Sequence, residues 1–481
     1  MEHKVNRNSI ISALIWKLLE RGGAQVIQLL VQIIIARLLS PEEFGTMAII
    51  LVFVNLAQVF IQGGFNIALI QKKDSDELDF SSIFYLSLVI ASFFYILLFF
   101  FAPVIARFYL DEQLIILLRV IGIVLFTGAL NTVQMAYVSK YMLFKKSAFC
   151  SLLATVISGI IGIAFAYLGI GIWALVFQQI SYSVVNSITL WIKIKWRPKL
   201  VFSFVRVTRL FSYGSKILSS SLIYRIYLEL RTLIIGRIFS STSLGFYQRG
   251  EQIPRVLVNN IDGAIQSVIL PSLAVFQDDL PKIKSMIRRS LKTSSYIIFP
   301  IMFGLAAVSD TFVFLILGEQ WIPTVPFLII FSLTYSLWPM ITINQQPARA
   351  LGRSDIILKT EIIKRILGLL IILITVPLGV IAIAVGFFIE RLIESGINAY
   401  PNKKLIDYKY YEQLVDILPS LCQSIIMAII VYLMNYLEIN LLVKLILQII
   451  AGVFIYLALS IIFKNDSFEY FRKMIFVKDK K

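Results

Sequence analysis

The sequence predicts an all-α polytopic membrane protein of about fourteen transmembrane helices built from two related halves, and three observations predict it. Hydrophobic residues make up 58% of the 481 positions and charged ones only 15%, far too apolar a balance for a soluble domain. Cations recur in alternate connections between the apolar runs. The stretch IIARLLSPEEFG (34–45) returns as IIGRIFSSTSLG (234–245), with Ile34, Ile35, Arg37, Ser40 and Gly45 matching Ile234, Ile235, Arg237, Ser240 and Gly245. The register continues, so that Asn55, Gln62 and Asn66 correspond to Arg255, Asp262 and Gln266. Duplicated membrane halves facing each other across a midplane cavity are a transporter arrangement.

Backbone groups in hydrocarbon must be satisfied within the segment, so each apolar run of about 20 residues, enough to cross roughly 30 Å, is read as a helix. The first span, 10–36, is interrupted by Lys17, Glu20 and Arg21 and is followed by no small-residue cleavage site, so it is expected to stay in the mature protein and not act as a signal. Span 44–70 carries amides; spans 82–106, 114–138, 147–168 and 171–193 are apolar runs bounded by short connections. Spans 208–236 and 244–275 repeat the polar character of the first two. Spans 291–317, 324–347, 357–377 and 379–399 complete the second half, and 414–436 and 441–463 follow it. The expected organisation is therefore 1–200, 201–410 and a third segment 411–481. No connection is long enough for a folded soluble domain.

The net charge of +17 raises the question of nucleic acid, but the positions of the cations answer it. Basic residues occupy alternate connections: Lys4 and Arg7, Lys72 and Lys73, Lys140 to Lys146, Lys193 to Lys199, Lys282 to Arg289, Arg349 and Arg353, Lys403 to Lys409, and Lys464 to Lys478. This is the positive-inside pattern, with both termini cytoplasmic and no nucleic-acid partner. The charge-rich stretch 72–79 and the Asp278–Asp279 pair are read as solvated loop ends. Cys150 and Cys422 lie inside spans, which suggests neither a disulfide framework nor a metal cluster.

The sole histidine, His3, lies in the N-terminal tail, which excludes a Ser-His-Asp mechanism and a histidine metal site. No GxxxxGK[ST] phosphate cradle is present. The expectation is a transporter without covalent chemistry, metal or cofactor. Membrane polymerases and ligases of sugars, the rival class, usually need a long external segment that this chain lacks.

Polar side chains form stripes. On the first span Lys17, Arg21, Gln25, Gln28 and Gln32 are spaced by four, four, three and four, which puts them on one helix face. Asn55, Gln58, Gln62 and Asn66 do the same on the second; Lys216, Ser220, Tyr224, Tyr227 and Arg231, with Arg225 and Glu229 alongside, on the seventh; and Gln248, Gln252, Arg255, Asn259, Asp262 and Gln266 on the eighth. Charges are costly in a bilayer, so these residues are expected to face a hydrated groove or one another. Lys17, Arg21, Arg225, Arg231, Arg249 and Arg255, with Arg119 on the fourth span, are candidate anion ligands, since guanidinium forks suit phosphate oxygens. Gln25, Gln28, Asn55, Gln58 and Asn259 are candidates for sugar hydroxyls. The competing reading is structural: Glu20 with Lys17 and Arg225 with Glu229 can tie helices together with no ligand. Glu229, Asp262, Glu390 and Glu394 are candidates for coupling to protons or sodium ions, although Arg391 beside Glu390 and Glu394 suits a structural network equally. Asn344, Gln345, Gln346 and Arg349 end the tenth span, near an expected cavity mouth.

The series ARLLSPEEFG (36–45), ALIQKKD (68–74), GIWALVFQQ (171–179), WRP (196–198), IIGRIFSSTSLGFYQRG (234–250), ILPSLAVFQDD (269–279), GEQWIPTVPFL (318–328) and ARALGRSD (348–355) resembles the polysaccharide transporters. These are flippases for lipid-linked repeat units of O-antigen, capsule and exopolysaccharide, within the multidrug/oligosaccharidyl-lipid/polysaccharide exporter superfamily. The resemblance implies two six-helix bundles around a central cavity plus two C-terminal helices. It implies an undecaprenyl-diphosphate-linked oligosaccharide as cargo, alternating access as mechanism, a bacterial cytoplasmic membrane location, and polysaccharide polymerase and chain-length machinery as partners. Arg37, Arg237, Tyr247 and Arg249 fall on matching positions. The chain departs before IIGR, where Arg231 stands in place of the family's usual acid and Glu229 lies two residues earlier. The alternative on the same scaffold is an ion-coupled small-molecule or multidrug exporter, for which a cation substrate fits an acid-lined cavity better than this basic one.

Overall fold

The structure, a computed structural model, describes residues 7–72 and 74–476, with the side chains of 7–22, 212, 213, 216, 267, 268, 270, 271, 274 and 473–476 outside the description. The described chain is largely helical, without strands, and each predicted span overlaps a helix, although 291–317 runs past the end of its helix at Ala307 into the separate short elements Ser309–Phe312 and Val313–Leu317. In chain order these are α1 (Arg7–Leu38), α2 (Pro41–Gln71, broken at Gly63), α3 (Glu77–Tyr109), α4 (Gln113–Lys140), α5 (Phe144–Tyr167), α6 (Trp173–Lys193) and α7 (Phe204–Ile238). There follow α8 (Ser241–Ala274), α9 (Leu280–Ala307), α10 (Glu319–Ala350), α11 (Ser354–Thr375), α12 (Val380–Ala399), α13 (Tyr410–Tyr436), α14 (Leu441–Ile462) and a short amphipathic α15 (Asp466–Phe476). Among the described residues, eight of these helices are long and apolar enough by composition alone to cross a membrane.

The chain forms two compact units, Met1–Gly245 and Phe246–Lys481. In the first, α5 packs antiparallel on α6 and against α1, α3 against α4, and α7 against α2 and α3. Its core joins Ile35, Ile50, Ile61, Leu114, Leu118 and Val176. Ser40 opens α2 with a reciprocal capping box to Glu43, and Asp76 opens α3 in the same way with Asp79. Arg197 folds back to donate to the carbonyls of Ile194 (2.6 Å), Trp196 (2.7 Å) and Trp191, capping the C-terminus of α6, while Trp196 packs on Phe80 and Phe84.

The stretch 72–79 is more than a solvated loop end. Asp79 is fully buried, its carboxylate meeting Lys72 (2.5 Å) and Arg206 (3.3 Å), while Arg206 also reaches Asp76 (2.8 Å). The connector before α7 docks on the same turn, with the amides of Lys199 and Ser203 donating to Ser81 and Ser82, both at 3.0 Å. Spacing alone reads such charges as exposed; here the cations that meet Asp79 come from the end of α2 and the first turn of α7, far apart in sequence. The Asp278–Asp279 pair is exposed, as expected, and Asp279 caps α9 through the Lys282 amide at 2.9 Å.

The two copies of the repeat meet at the starts of α2 and α8. A Cβ on Gly45 would lie 1.7 Å from the Ser241 carbonyl oxygen, and one on Gly245 would lie 2.0 Å from that of Pro41. These are equivalent positions in the two copies, so the approach is reciprocal, and only glycine permits it.

In the second unit α9 packs against α13 and α10, α11 against α12, and α14 against α13. Asp416 on α13 accepts a bidentate pair from Arg288 of α9 (2.6 and 2.7 Å), with Lys292 at 3.4 Å. A buried seam of Ser420, Gln423, Gln448, Ser460 and Asn465 joins α13 to α14.

Candidate functional site

The polar stripes separate into residues that tie helices together and residues that keep an open face. The side chains of Lys17 and Arg21 lie outside the described residues, although their backbone is helical. Further along α1, Gln28 is exposed, Gln25 is half-buried with Oε1 unpartnered, and Gln32 donates to Gln178 of α6 at 3.1 Å. On α2, Gln58 donates to the Val124 carbonyl at 3.2 Å and packs on Gly128, an inter-helix tie with α4. Asn55 donates to Glu229 of α7 at 3.5 Å. Glu229 pairs with Arg225 at 2.7 Å, the i,i+4 pairing that the sequence offered as a structural alternative. The Arg225 side chain nonetheless stays 33% exposed.

The remaining arginines divide sharply. Arg231 is buried, its guanidinium 5.7 Å from the Tyr227 ring centre. Arg119 lies over Phe99 at 4.2 Å and donates to the Phe99 carbonyl at 3.3 Å. That carbonyl lies four residues before Pro103, which supplies no amide to it, so Arg119 satisfies a group that the proline frees. In the second unit Arg249 is buried against Trp321 (5.5 Å) and donates to Gln252 (2.5 Å). Arg255 remains 43% exposed, with Glu251 of its own helix at 3.4 Å; Glu251 in turn accepts from Tyr335 at 2.9 Å. Asn259 is exposed on the same helix. The half-exposed Arg225 and Arg255 are thus each leashed to an acid one turn away on the same helix.

The acids differ just as clearly. Asp262 is buried and accepts from Thr342 (2.8 Å), Trp338 (3.2 Å) and Gln266, all neutral donors, and Gln346 extends the chain to Gln266 at 3.4 Å. Glu394 sits between Lys364 of α11 (3.1 Å) and Arg391, and Lys364 also meets Glu361. Glu390 is buried beside the same Lys364, in a crevice with no room for a water molecule. Asn344 does not face a cavity mouth: it is buried, bonding Gln413 of α13 and Asn402, both at 2.7 Å. Sequence reasoning missed Lys364, Glu251, Tyr335 and Trp338. The first two carried a signal, a charge within an otherwise apolar or polar-striped helix; the aromatic pair carried none.

A family model described as polysaccharide biosynthesis protein matches residues 34–326. The teichuronic acid biosynthesis protein TuaB of Bacillus subtilis is 26% identical over 355 residues, 72% of each chain. The succinoglycan biosynthesis transport protein ExoT of Rhizobium meliloti is 25% identical over 67% of this chain and 65% of its own. The lipopolysaccharide biosynthesis protein WzxC of Escherichia coli is 23% identical over 79% of this chain and 78% of its own. Among solved structures, the inward closed conformation of the lipid II flippase MurJ superposes with a TM-score of 0.76 at 17% identity, over 95% of this chain and 99% of that one. An inward-facing multidrug resistance MATE family transporter follows at 0.58 and 16%, over 80% and 94%. The fold is therefore that of the MurJ and MATE transporters, and the chain is a multi-pass membrane protein belonging to the polysaccharide biosynthesis protein family.

Proposed function

We propose that this protein is a flippase that moves undecaprenyl-diphosphate-linked oligosaccharide units from the cytoplasmic to the external leaflet by alternating access, for assembly of a surface polysaccharide. The observation that carries this reading is the family match over residues 34–326, which spans both copies of the repeat and the striped helices α2, α7 and α8. Support comes from the names of the relatives, a succinoglycan transport protein and a lipopolysaccharide biosynthesis protein among them. Arg225 and Arg255 suit a diphosphate: each is half-exposed and has an acid within one turn that holds it in place until a stronger anion arrives. Lys17 and Arg21 extend the cationic set, and Gln28 and Asn259 offer amides to glycan hydroxyls. No covalent step is required, the location is the bacterial cytoplasmic membrane, and both termini are cytoplasmic. The segments 1–200 and 201–410 are the duplicated halves, and 411–481 is an addition to the second.

Of the four acids, Asp262 is the one to test for ion coupling, because its hydrogen-bond partners are neutral while Glu229 and Glu394 are paired with cations. The deciding experiment is mass spectrometry of extracted lipids, with surface-polysaccharide staining, in cells depleted of the protein. Accumulated undecaprenyl-diphosphate oligosaccharide with loss of the surface polymer is expected. Unchanged lipids and polymer with altered drug sensitivity would overturn the proposal in favour of small-molecule export.

A further inference from the structure

Both units pair part of their cations with acids: Lys72 and Arg206 meet Asp79, and Lys199 meets Glu77, in the first, while Arg288 and Lys292 meet Asp416, Lys292 also Asp466, and Lys284 Glu412 in the second. In the first unit the stretch 113–200 contains no aspartate or glutamate at all, yet it places Lys145 and Lys146 at the start of α5 and Lys193 and Lys195 at the end of α6. These helices are antiparallel neighbours, so the four lysines gather at one end of the pair; all four are exposed. Lys193 lies 5.2 Å from the ring of Phe149, which links the two helices across this end.

Apolar surface accompanies the charge, for Phe149 is 53% and Ile192 is 69% exposed beside the lysines. Arg197 donates to the Trp191 carbonyl in the last turn of α6 and to the Ile194 carbonyl just beyond it, adding a further cation at the negative helix end. Topology requires only that cations lie on this side; it does not require that exposed lysines gather at one end of a helix pair beside exposed apolar side chains.

We propose that the α5–α6 end is a docking site for the headgroup of an anionic phospholipid of the inner leaflet, the phosphodiester meeting Lys146, Lys193 and Lys195 and an acyl chain lying on Phe149 and Ile192. The site rests on the cytoplasmic orientation given above, but not on the identity of the cargo. Basic clusters between helices at this level recognise acidic headgroups through additive charge attraction, and the adjoining rings and aliphatics sit where acyl chains begin.

The test uses the full-length protein in nanodiscs of phosphatidylcholine doped with phosphatidylglycerol, with retained lipid counted by native mass spectrometry. The triple variant K146Q/K193Q/K195Q is expected to lower apparent affinity for phosphatidylglycerol roughly a hundredfold, from the near-surface contribution of three lysines. The equally charge-depleted K282Q/K403Q/K404Q is expected to retain it. Single variants K146Q and K193Q, each expected to lose about five- to tenfold, serve if the triple does not fold. Equal loss in both triple variants, or none in the first, would overturn the site. So would binding of undecaprenyl diphosphate but not phosphatidylglycerol, which would assign the lysines to the cargo and leave the flippase reading intact.

Discussion

At the residue scale, the arginines illustrate what a one-dimensional stripe conceals. Arg119, Arg225, Arg231, Arg249 and Arg255 are equivalent as sequence letters on membrane helices, yet two keep an open face and three are spent on rings, amides or a carbonyl. Helical spacing gave the face on which each side chain sits and the same-helix acids of Arg225 and Arg255; the partners that come from other helices, Phe99 for Arg119 and Trp321 for Arg249, were not legible. Arg119 had a readable clue in Pro103, since a proline in a membrane helix frees the carbonyl four residues back and some donor must reach it. The same logic holds in the second unit, where Pro300 frees the Tyr296 carbonyl and the Tyr456 hydroxyl donates to it at 2.9 Å. The division predicts opposite phenotypes. R225Q and R255Q should abolish polymer export while leaving the melting temperature of purified protein within error. R119Q and R249Q should lower it, by about 1–3 kcal/mol of stability for a buried group left unpaired. Normal export from both R225Q and R255Q would remove the diphosphate role from these two residues.

At the element scale, the approximate position of each span was readable because apolar length is a property of the sequence alone, whereas ends such as those of 291–317, whose helix is Leu280–Ala307, were not. The docking of α7 was not, since Asp79 meets Arg206 across more than a hundred residues. This clasp explains why α7 belongs to the first compact unit although the duplication begins again near residue 201. Burial pushes the Asp76 carboxyl upward, but the Asp79 amide and the Arg206 guanidinium outweigh it and hold it below its usual value. A carboxylate lowered on folding stabilises above its unfolded pKa and loses that contribution as pH falls through its folded value. The clasp should therefore be intact at neutral pH and weaken only below about pH 4. Limited proteolysis of the connector between α6 and α7 tests this: R206Q should be cut faster than wild type at pH 7, and a cutting rate equal to wild type would discard the clasp. The reciprocal glycines make a second prediction. G45A or G245A forces apart two helix starts that leave no space for a methyl group, at an overpacking cost of about 1–3 kcal/mol, and should lower thermal stability and export together. Serine at either position should be worse than alanine.

At the scale of the whole molecule, the question is whether α13, α14 and α15 are an appendage or part of the second unit. Hydropathy predicts the two long helices but gives no sign of how they attach, and lipid supplies no hydrophobic drive for one apolar helix to join another. The attachment is polar. Asn435 accepts from Thr311 (3.2 Å) and Gln448 (2.8 Å), Tyr296 donates to Ser460 (3.1 Å), and Asn465 donates to Gln423 (3.0 Å). Polar residues in these helices are therefore glue, the reading that competes with ligand binding for every stripe in the chain, and here it accounts for the contacts of a whole seam. Each such bond contributes about 0.6 kcal/mol on average, so the seam works by number. A chain ending at Asp407 would lose the whole seam at once. It would also strip Arg288 and Lys292 of Asp416, and the carbonyl freed by Pro300 of Tyr456. Such a chain should fail to accumulate as a monodisperse protein, whereas Q448L, which removes only one member, should accumulate normally with a lowered melting temperature. Fluorescence-detected size exclusion of tagged chains separates the cases: a monodisperse truncated protein would make α13 to α15 an appendage, and the polar seam a consequence of their proximity rather than its cause.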